Sequence, residues 1–167
     1  MSTVEHLRKR FAVDIMLGRL AKWLRVLGFD AGSVPVSRPG IDSLLAEGLI
    51  PVTRTVKFRD VEGVLFIHGN HYLEQLKELI ASLSITIDEL RPFSRCSLCN
   101  AELLQIPREA ALGAVPDYVF ETAPYFHKCP ECAKVYWPGS HRQKMIAKLR
   151  ELGIQGFVDP GVFEFGD

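Results

Sequence analysis

The sequence lacks an excess of charge of either sign, because 20 lysine and arginine residues balance 20 aspartate and glutamate residues. No global field therefore draws the whole chain onto nucleic acid or acidic lipid, and binding of either would need a local patch. The sequence also lacks an apolar run of the ~20 residues that span a membrane. No long apolar segment follows the basic residues near the N-terminus, so we expect no secretory signal, no membrane association and a cytoplasmic location.

Cysteine is scarce, and no cysteine stands alone. The four cysteines form two Cys-x-x-Cys pairs, Cys96 with Cys99 and Cys129 with Cys132. Two such turns place four thiolates around one tetrahedral ion, which predicts a structural zinc ion in a zinc ribbon. A closed four-sulfur site has no open position for catalysis. A rubredoxin-like iron site, a pair of redox motifs and four buried thiols are the alternatives to zinc.

Strand-like and helix-like patterns alternate up to about residue 90. The predicted strands are 11–17, 31–36, 49–55 and 63–69, and the predicted helices are 16–28, 41–48 and 71–83. This alternation predicts an α/β fold with a small, mainly parallel sheet and helices on its faces. We place a boundary near residue 90, with an α/β domain over 1–90 and a zinc ribbon over 91–167. A final helix is expected over 141–152, and the tail from residue 153 has no assignment.

Polar and acidic residues follow the predicted strands. Asp14 lies in the apolar run FAVDIML, Asp42 lies at a plausible helix N-cap, and Thr53, Arg54 and Thr55 end the third strand. Sites in open α/β sheets form outside the carboxyl ends of the strands. Clustered carboxylates there would bind Mg²⁺ or Mn²⁺ and act on a phosphodiester. Helix capping is the alternative; it is the better explanation for Asp42, whereas for Asp14 the residues alone favour neither role.

Basic residues concentrate over 8–25 and again over 139–150. Arg19, Lys22 and Arg25 recur every three residues on the first predicted helix, which is typical of a solvated face and also of a phosphate-binding face. Trp23, on the same helix, is expected in the core rather than as a platform for stacked bases.

Four segments occur in a characteristic order, which is FAVDIMLGRLAKWLRVLGFDA, IDSLLAEGLIPVTRT, FSRCSLCNAEL and FHKCPECAKVYWPGSH. Together they resemble the Mut-seven C-terminal ribonuclease domain family. The resemblance extends from about Phe11 to the final helix. It implies a PIN-like nuclease fold with an appended zinc ribbon, an RNA substrate and a catalytic Mg²⁺ or Mn²⁺ ion.

The same resemblance implies roles for individual residues. Asp14 matches the first catalytic acid, and Asp42 matches the acid at the start of the second helix. Arg54 matches the arginine of a Thr-Arg-Asp turn. Arg19, Arg25 and Arg54 gain a predicted role in binding the substrate.

One departure from the family pattern concerns the third acid. Thr55 stands where the family turn has aspartate, and Asp60 would substitute only if its loop bends back. Two hypotheses follow: a metal-dependent ribonuclease, or an RNA-binding module of the same fold with impaired or lost catalysis. A third is a protein-interaction module in which the ribbon is an adaptor, and a homo-oligomer or a protein partner remains open.

Overall fold

A computed structural model describes residues 8–153, which separate into two compact units. The first unit ends at Asn100 and the second begins at Ala101. Within 8–153, no helix is both long enough and apolar enough to cross a membrane. Residues 1–7, where we expected no secretory signal, and the unassigned tail from residue 154 onward lie outside the described residues.

The first unit is a parallel sheet with helices between its strands. The strands are β1 (Arg10–Asp14), β2 (Asp30–Val34), β3 (Ile50–Thr53) and β4 (Leu65–Phe66). The helices are α1 (Gly18–Val26), α2 (Arg38–Ala46) and α3 (Tyr72–Ser82). The strand order is β2-β1-β3-β4, and every neighbouring pair is parallel. The predicted α/β class with a small parallel sheet is confirmed.

The core of this unit follows from the apolar patterns of β1 and α1. Phe11 and Val13 are almost fully buried because β1 pairs with β2 on one side and β3 on the other. Leu20 and Leu24 of α1 are fully buried at helical spacing. Trp23 lies in the core as predicted, with only 6% of its surface exposed.

The apolar run that contains Asp14 is not one buried strand. The predicted strand over 11–17 ends at Asp14, and Ile15–Leu17 form a short 3-10 helix. Ile15 and Met16 are 63% and 57% exposed. The prediction was wrong for these residues because the chain leaves the sheet at Asp14 to enter α1, so apolar composition alone does not mark the strand end.

The second helix begins earlier than its sequence suggested. Its N-cap position is Ser37, and the residues just before the predicted start at residue 41 form its first turn, including Pro39. Proline is favoured in a first helical turn, since its missing N–H has no partner there. Asp42 therefore lies inside α2 and is exposed, so the prediction of an N-cap at Asp42 was wrong.

The second unit is a small antiparallel sheet with two helices. Its strands are β5 (Leu104–Ile106), β6 (Phe126–Lys128) and β7 (Val135–Tyr136), in the order β5-β6-β7. Its helices are α4 (Asp117–Thr122) and α5 (Ser140–Glu151), and α5 confirms the predicted final helix. A core cluster of buried residues comprises Ala111, Val115, Val119, Ala123, Phe126 and Val135.

The segment after residue 90 is hydrogen-bonded to the end of α1. The backbone N–H of Arg91 donates to the carbonyl of Leu27 at 2.9 Å, and that of Phe93 donates to the carbonyl of Val26 at 2.8 Å. These carbonyls would otherwise lack partners at a helix C-terminus. The first compact unit therefore extends beyond the boundary that the sequence placed near residue 90.

The close approach of the Arg91 backbone to the end of α1 requires glycine at residue 28. The φ of Gly28 is +92°, and an added Cβ would lie 2.2 Å from the carbonyl oxygen of Arg91. We expect Gly28→Ala to lower the free energy of unfolding by about 3 kcal/mol, since left-handed strain and a backbone clash add together. Urea denaturation of the purified protein measures this change.

Gly48→Ala is the matched control, because Gly48 also follows a helix with a φ of +77° but has nothing within 4 Å of an added Cβ. It should lower stability by about 1 kcal/mol, from left-handed strain alone. Equal losses in the two variants would contradict the role given to the Arg91 contact.

Candidate functional site

Asp14 ends β1 as a buried carboxylate with two partners. Only 4% of the surface of Asp14 is exposed. Its Oδ2 accepts a hydrogen bond from Thr53 Oγ1 at 2.6 Å, and its Oδ1 accepts one from the backbone N–H of Val36 at 3.4 Å. A short hydrogen bond to an ionised group is among the stronger polar contacts in proteins. Asp14 therefore connects the ends of β1 and β3 with the segment that follows β2.

Helix capping does not explain Asp14. The residue occupies the N-cap position of the 3-10 helix Ile15–Leu17, but its side chain makes no capping hydrogen bond. The carboxylate instead reaches across the sheet to Thr53. The alternative that the sequence left open is thereby removed.

The turn after β3 is organised by the Thr53 hydroxyl. Besides donating to Asp14, Thr53 Oγ1 accepts a hydrogen bond from the backbone N–H of Thr55 at 3.1 Å. Arg54 projects toward the loop after β4, where its Nη2 donates to Asn70 Oδ1 at 2.6 Å and to the carbonyl of His68 at 3.4 Å. The edge of the sheet thus carries a buried acid and a fixed guanidinium.

The acids of the first unit do not form a cluster of three. Across residues 8–153, the one group of at least three metal-ligating side chains is the set of four cysteines. Asp42 and Asp60 are both exposed, on α2 and in the loop before β4 respectively. The described carboxylates therefore do not make a complete site for a hard divalent ion, and Asp14 is the buried acid that remains at the strand ends.

The two arginines of α1 have different surroundings. Arg19 is exposed, and its guanidinium lies over the ring of Tyr72 at 4.4 Å from the ring centre. Arg25 is only 8% exposed, and burial lowers its pKa although Cys96 and Cys99 nearby act in the opposite direction. Arg19 is placed to meet a ligand in solvent, whereas Arg25 is not.

The guanidinium of Arg25 holds the first cysteine turn against β2. Its Nε donates to the carbonyl of Ala31 at 2.8 Å. Its Nη1 donates to the carbonyls of Ser97 and Leu98 at 3.0 and 3.2 Å, and its Nη2 donates to Ser33 Oγ at 3.2 Å. These contacts engage the guanidinium within the protein, and the substrate-binding role of Arg25 stays a prediction.

Asn100 adds a second connection that the sequence analysis did not identify. Its Nδ2 donates to Asp30 Oδ1 at 2.7 Å, and its Oδ1 accepts from the backbone N–H of Ala31 at 2.9 Å. The φ of Asn100 is +67°, a conformation that asparagine adopts more readily than most residues. The sequence feature that could have identified Asn100 is its place directly after a Cys-x-x-Cys turn.

The four cysteines form the group that can hold a metal such as zinc. Their ligand atoms all lie within 4.8 Å of one another. Sulfur atoms around tetrahedral zinc lie roughly 3.8 Å apart for bonds of about 2.3 Å, so the arrangement fits the ion.

Each cysteine turn also carries a backbone hydrogen bond to sulfur. The N–H of Cys99 points to Cys96 Sγ at 3.4 Å, and the N–H of Cys132 points to Cys129 Sγ at 3.5 Å. Such donors stabilise thiolates that bind a metal. Four thiolates would fill a zinc shell and leave no open position for catalysis on an ion held there.

Replacement of one cysteine should release the metal. We expect the wild-type protein to bind about one zinc ion and Cys129→Ser to lose it, since three thiolates no longer close a tetrahedral shell. Elemental analysis after dialysis measures the metal, and thermal unfolding should show a lower midpoint. Glu131→Gln, an exposed position in the same turn, is the control and should keep its zinc. Full zinc occupancy in Cys129→Ser would contradict the assignment.

The comparison with known protein families identifies the chain. Residues 9–149 match the family described as the Mut7-C RNAse domain. No curated protein and no solved structure matches this chain. The matched range includes Asp14, Arg54 and all four cysteines, and it covers well over half of the sequence. The chain therefore belongs to the Mut7-C RNAse domain family.

Proposed function

We propose that this protein is a ribonuclease that hydrolyses RNA phosphodiesters at the carboxyl edge of its parallel sheet. Membership of an RNAse domain family supports an RNA substrate. The observation that carries the location is Asp14, a buried carboxylate at the end of a central strand. Burial of a charge is unfavourable unless partners compensate for it, and open α/β sheets form their sites at this edge.

The proposed activity depends on Mg²⁺ or Mn²⁺, with Asp14 as the main protein ligand and Asp42 as the second acid. Such an ion, when bound, activates water and offsets charge on a phosphodiester. Affinity for hard ions rises with the number of charged ligands, so a site with one buried acid should bind the ion weakly. The metal dependence is therefore expected to appear at high rather than trace metal concentrations.

Arg54 and Arg19 are proposed to position the RNA backbone. Arg54 follows Thr53, whose hydroxyl contacts Asp14, and it is held by Asn70. Arg19 lies five residues after Asp14, at the exposed start of α1. A guanidinium binds phosphate oxygens through two parallel N–H groups, which favours arginine over lysine at such positions.

The second candidate function is an RNA-binding module of the same PIN-like fold without catalysis. It is favoured by Thr55, whose backbone N–H bonds to Thr53 but which supplies no carboxylate. In both readings the four thiols of a metal centre suit a reducing compartment, which supports the proposed cytoplasmic location.

Substitution of Asp14 tests the ribonuclease directly. Asp14→Asn keeps the shape of the side chain and removes its charge, so it should lower Mn²⁺-dependent cleavage at least 100-fold while the fold persists. Cleavage of a mixed pool of single-stranded and hairpin RNA, with Mn²⁺ or with EDTA, measures the activity, and circular dichroism checks the fold. Asp88→Asn, at an exposed acid in a separate 3-10 helix, is the matched control. Normal cleavage by Asp14→Asn would disprove the proposed role of Asp14.

Restoration of the third acid separates the two candidate functions. If the missing charge at residue 55 limits metal binding, Thr55→Asp should raise the cleavage rate about tenfold at low Mn²⁺ concentration. An inactive Thr55→Asp variant that still binds RNA would favour the binding module. RNA affinity should fall as salt rises in both cases, because phosphate contacts release counterions. An absence of RNA affinity at low salt would point to the adaptor hypothesis instead.

A further inference from the structure

A second group of polar side chains lies at the same edge of the sheet, just after β4. His68 Nδ1 lies 2.6 Å from Glu78 Oε1 on α3. The backbone N–H groups of His68 and Gly69 donate to the same carboxylate at 2.9–3.0 Å. We call His68 and Glu78 the His–Glu pair.

The hydrogen bonds of Glu78 determine which ring nitrogen of His68 carries a proton. Burial alone would raise the pKa of Glu78, but the ring and backbone donors of His68 and the N–H of Gly69 outweigh it and hold that pKa below its ordinary value. Glu78 is then ionised at neutral pH and can only accept hydrogen bonds. Nδ1–H is therefore the donor to Glu78, and a ring that holds only this proton carries its lone pair on Nε2.

The ring of His68 is exposed although its orientation is fixed. The side chain of His68 is 69% exposed, against 24% for Glu78. The ring also packs edge-on against Phe66, with centroids 4.9 Å apart. A large polymeric substrate can therefore reach an imidazole that is already oriented, which is the arrangement that proton transfer requires.

Two arginines lie near the His–Glu pair, one against the backbone of His68 and one against Phe66. Arg54 donates to the carbonyl of His68 and to Asn70, and Arg59 lies over the ring of Phe66 at 4.8 Å from its centre. The charged groups in these contacts, apart from Glu78, are therefore guanidinium groups. They suit a phosphodiester backbone.

The end of β3 lies between Asp14 and the His–Glu pair. Thr53 Oγ1 donates to Asp14, and the carbonyl of Thr53 accepts a hydrogen bond from the backbone N–H of Ile67 at 2.9 Å. His68 is the next residue. Asp14 and His68 therefore flank the same strand end, one on the β1 side and the other on the β4 side.

We propose that His68 is the general base of RNA cleavage at this edge and that Glu78 is its positioning residue. The inference rests on the proposed ribonuclease function and deepens it. Asp14 is engaged by Thr53 and Val36 and has no cluster of acids beside it, so another group must accept the proton of the attacking water. Nε2 of His68 is the oriented lone pair available at this edge.

The chemical step is balanced without a further reactant. The oxygen of water forms a bond to phosphorus while Nε2 of His68 takes one of its protons. The bond between phosphorus and the leaving ribose oxygen breaks, and that oxygen takes a proton from solvent. His68 then releases its proton to solvent and returns to the neutral form. General base catalysis of this kind typically contributes 10²–10⁴-fold in rate.

His68→Asn separates proton transfer from a structural role. The side-chain amide of asparagine can donate to Glu78 in place of Nδ1–H, but nothing in the variant replaces Nε2. A merely structural pair predicts unchanged activity, because the hydrogen bond is retained and an exposed side-chain pair contributes little to stability. A catalytic base predicts a loss that does not depend on folding.

The experiment measures kcat and KM for a labelled single-stranded RNA oligonucleotide from pH 5 to pH 9 with Mn²⁺. In the wild type, kcat should rise with pH, because a general base acts only in its unprotonated form. His68→Asn should lower kcat about 100-fold with little change in KM. The remaining kcat of this variant should no longer rise with pH. Added imidazole should restore part of the rate. Glu78→Gln should lower kcat by about tenfold, because the ring loses the carboxylate that orients it.

His71→Asn is the matched control. His71 is an exposed histidine at the N-cap of α3, and asparagine is itself a favourable N-cap residue. Its kcat and pH profile should match the wild type. A wild-type kcat and pH profile in His68→Asn, with Asp14→Asn inactive, would overturn the role of His68 and leave the ribonuclease intact. Absence of cleavage by the wild type at every pH would overturn both.

Discussion

The hydrogen bond between Asp14 and Thr53 is the constraint on which the sheet edge depends. A buried carboxylate must keep strong donors, and here they come from the end of β3 and from the segment after β2. The same Thr53 hydroxyl accepts the N–H of Thr55, so it also sets the turn from which Arg54 projects. One acid thus orders the ends of three parallel segments and the positive group beside them.

Arginines that look alike in the sequence have separate tasks in the structure. Arg19 stays at the surface, where a phosphate can reach it, while Arg25 is buried and donates to carbonyls of the first cysteine turn. Burial of a guanidinium is tolerated because its donors meet acceptors that are fixed by the backbone. A substitution at Arg25 would therefore disturb the metal-binding turn and β2, whatever its effect on RNA.

The sequence predicted best where the governing interaction is local. Alternating apolar patterns identified the α/β class, and helical spacing placed Leu20 and Leu24 in the core. It failed at element ends: FAVDIML continued as a strand only to Asp14, and Asp42 proved to lie inside α2 rather than at its start. Hydrophobicity does not specify where a chain leaves a sheet, because that point depends on how far the neighbouring strands extend.

The sequence by itself determined the four-cysteine metal group and the order of strands and helices, because both follow from spacing within short segments. Only the tertiary structure decided the partners of the polar groups. Thr53 lies 39 residues from Asp14, Ser97 lies 72 residues from Arg25, and Glu78 lies 10 residues from His68. These contacts arise from strand register and helix packing, which bring distant residues together and have no signature in local composition.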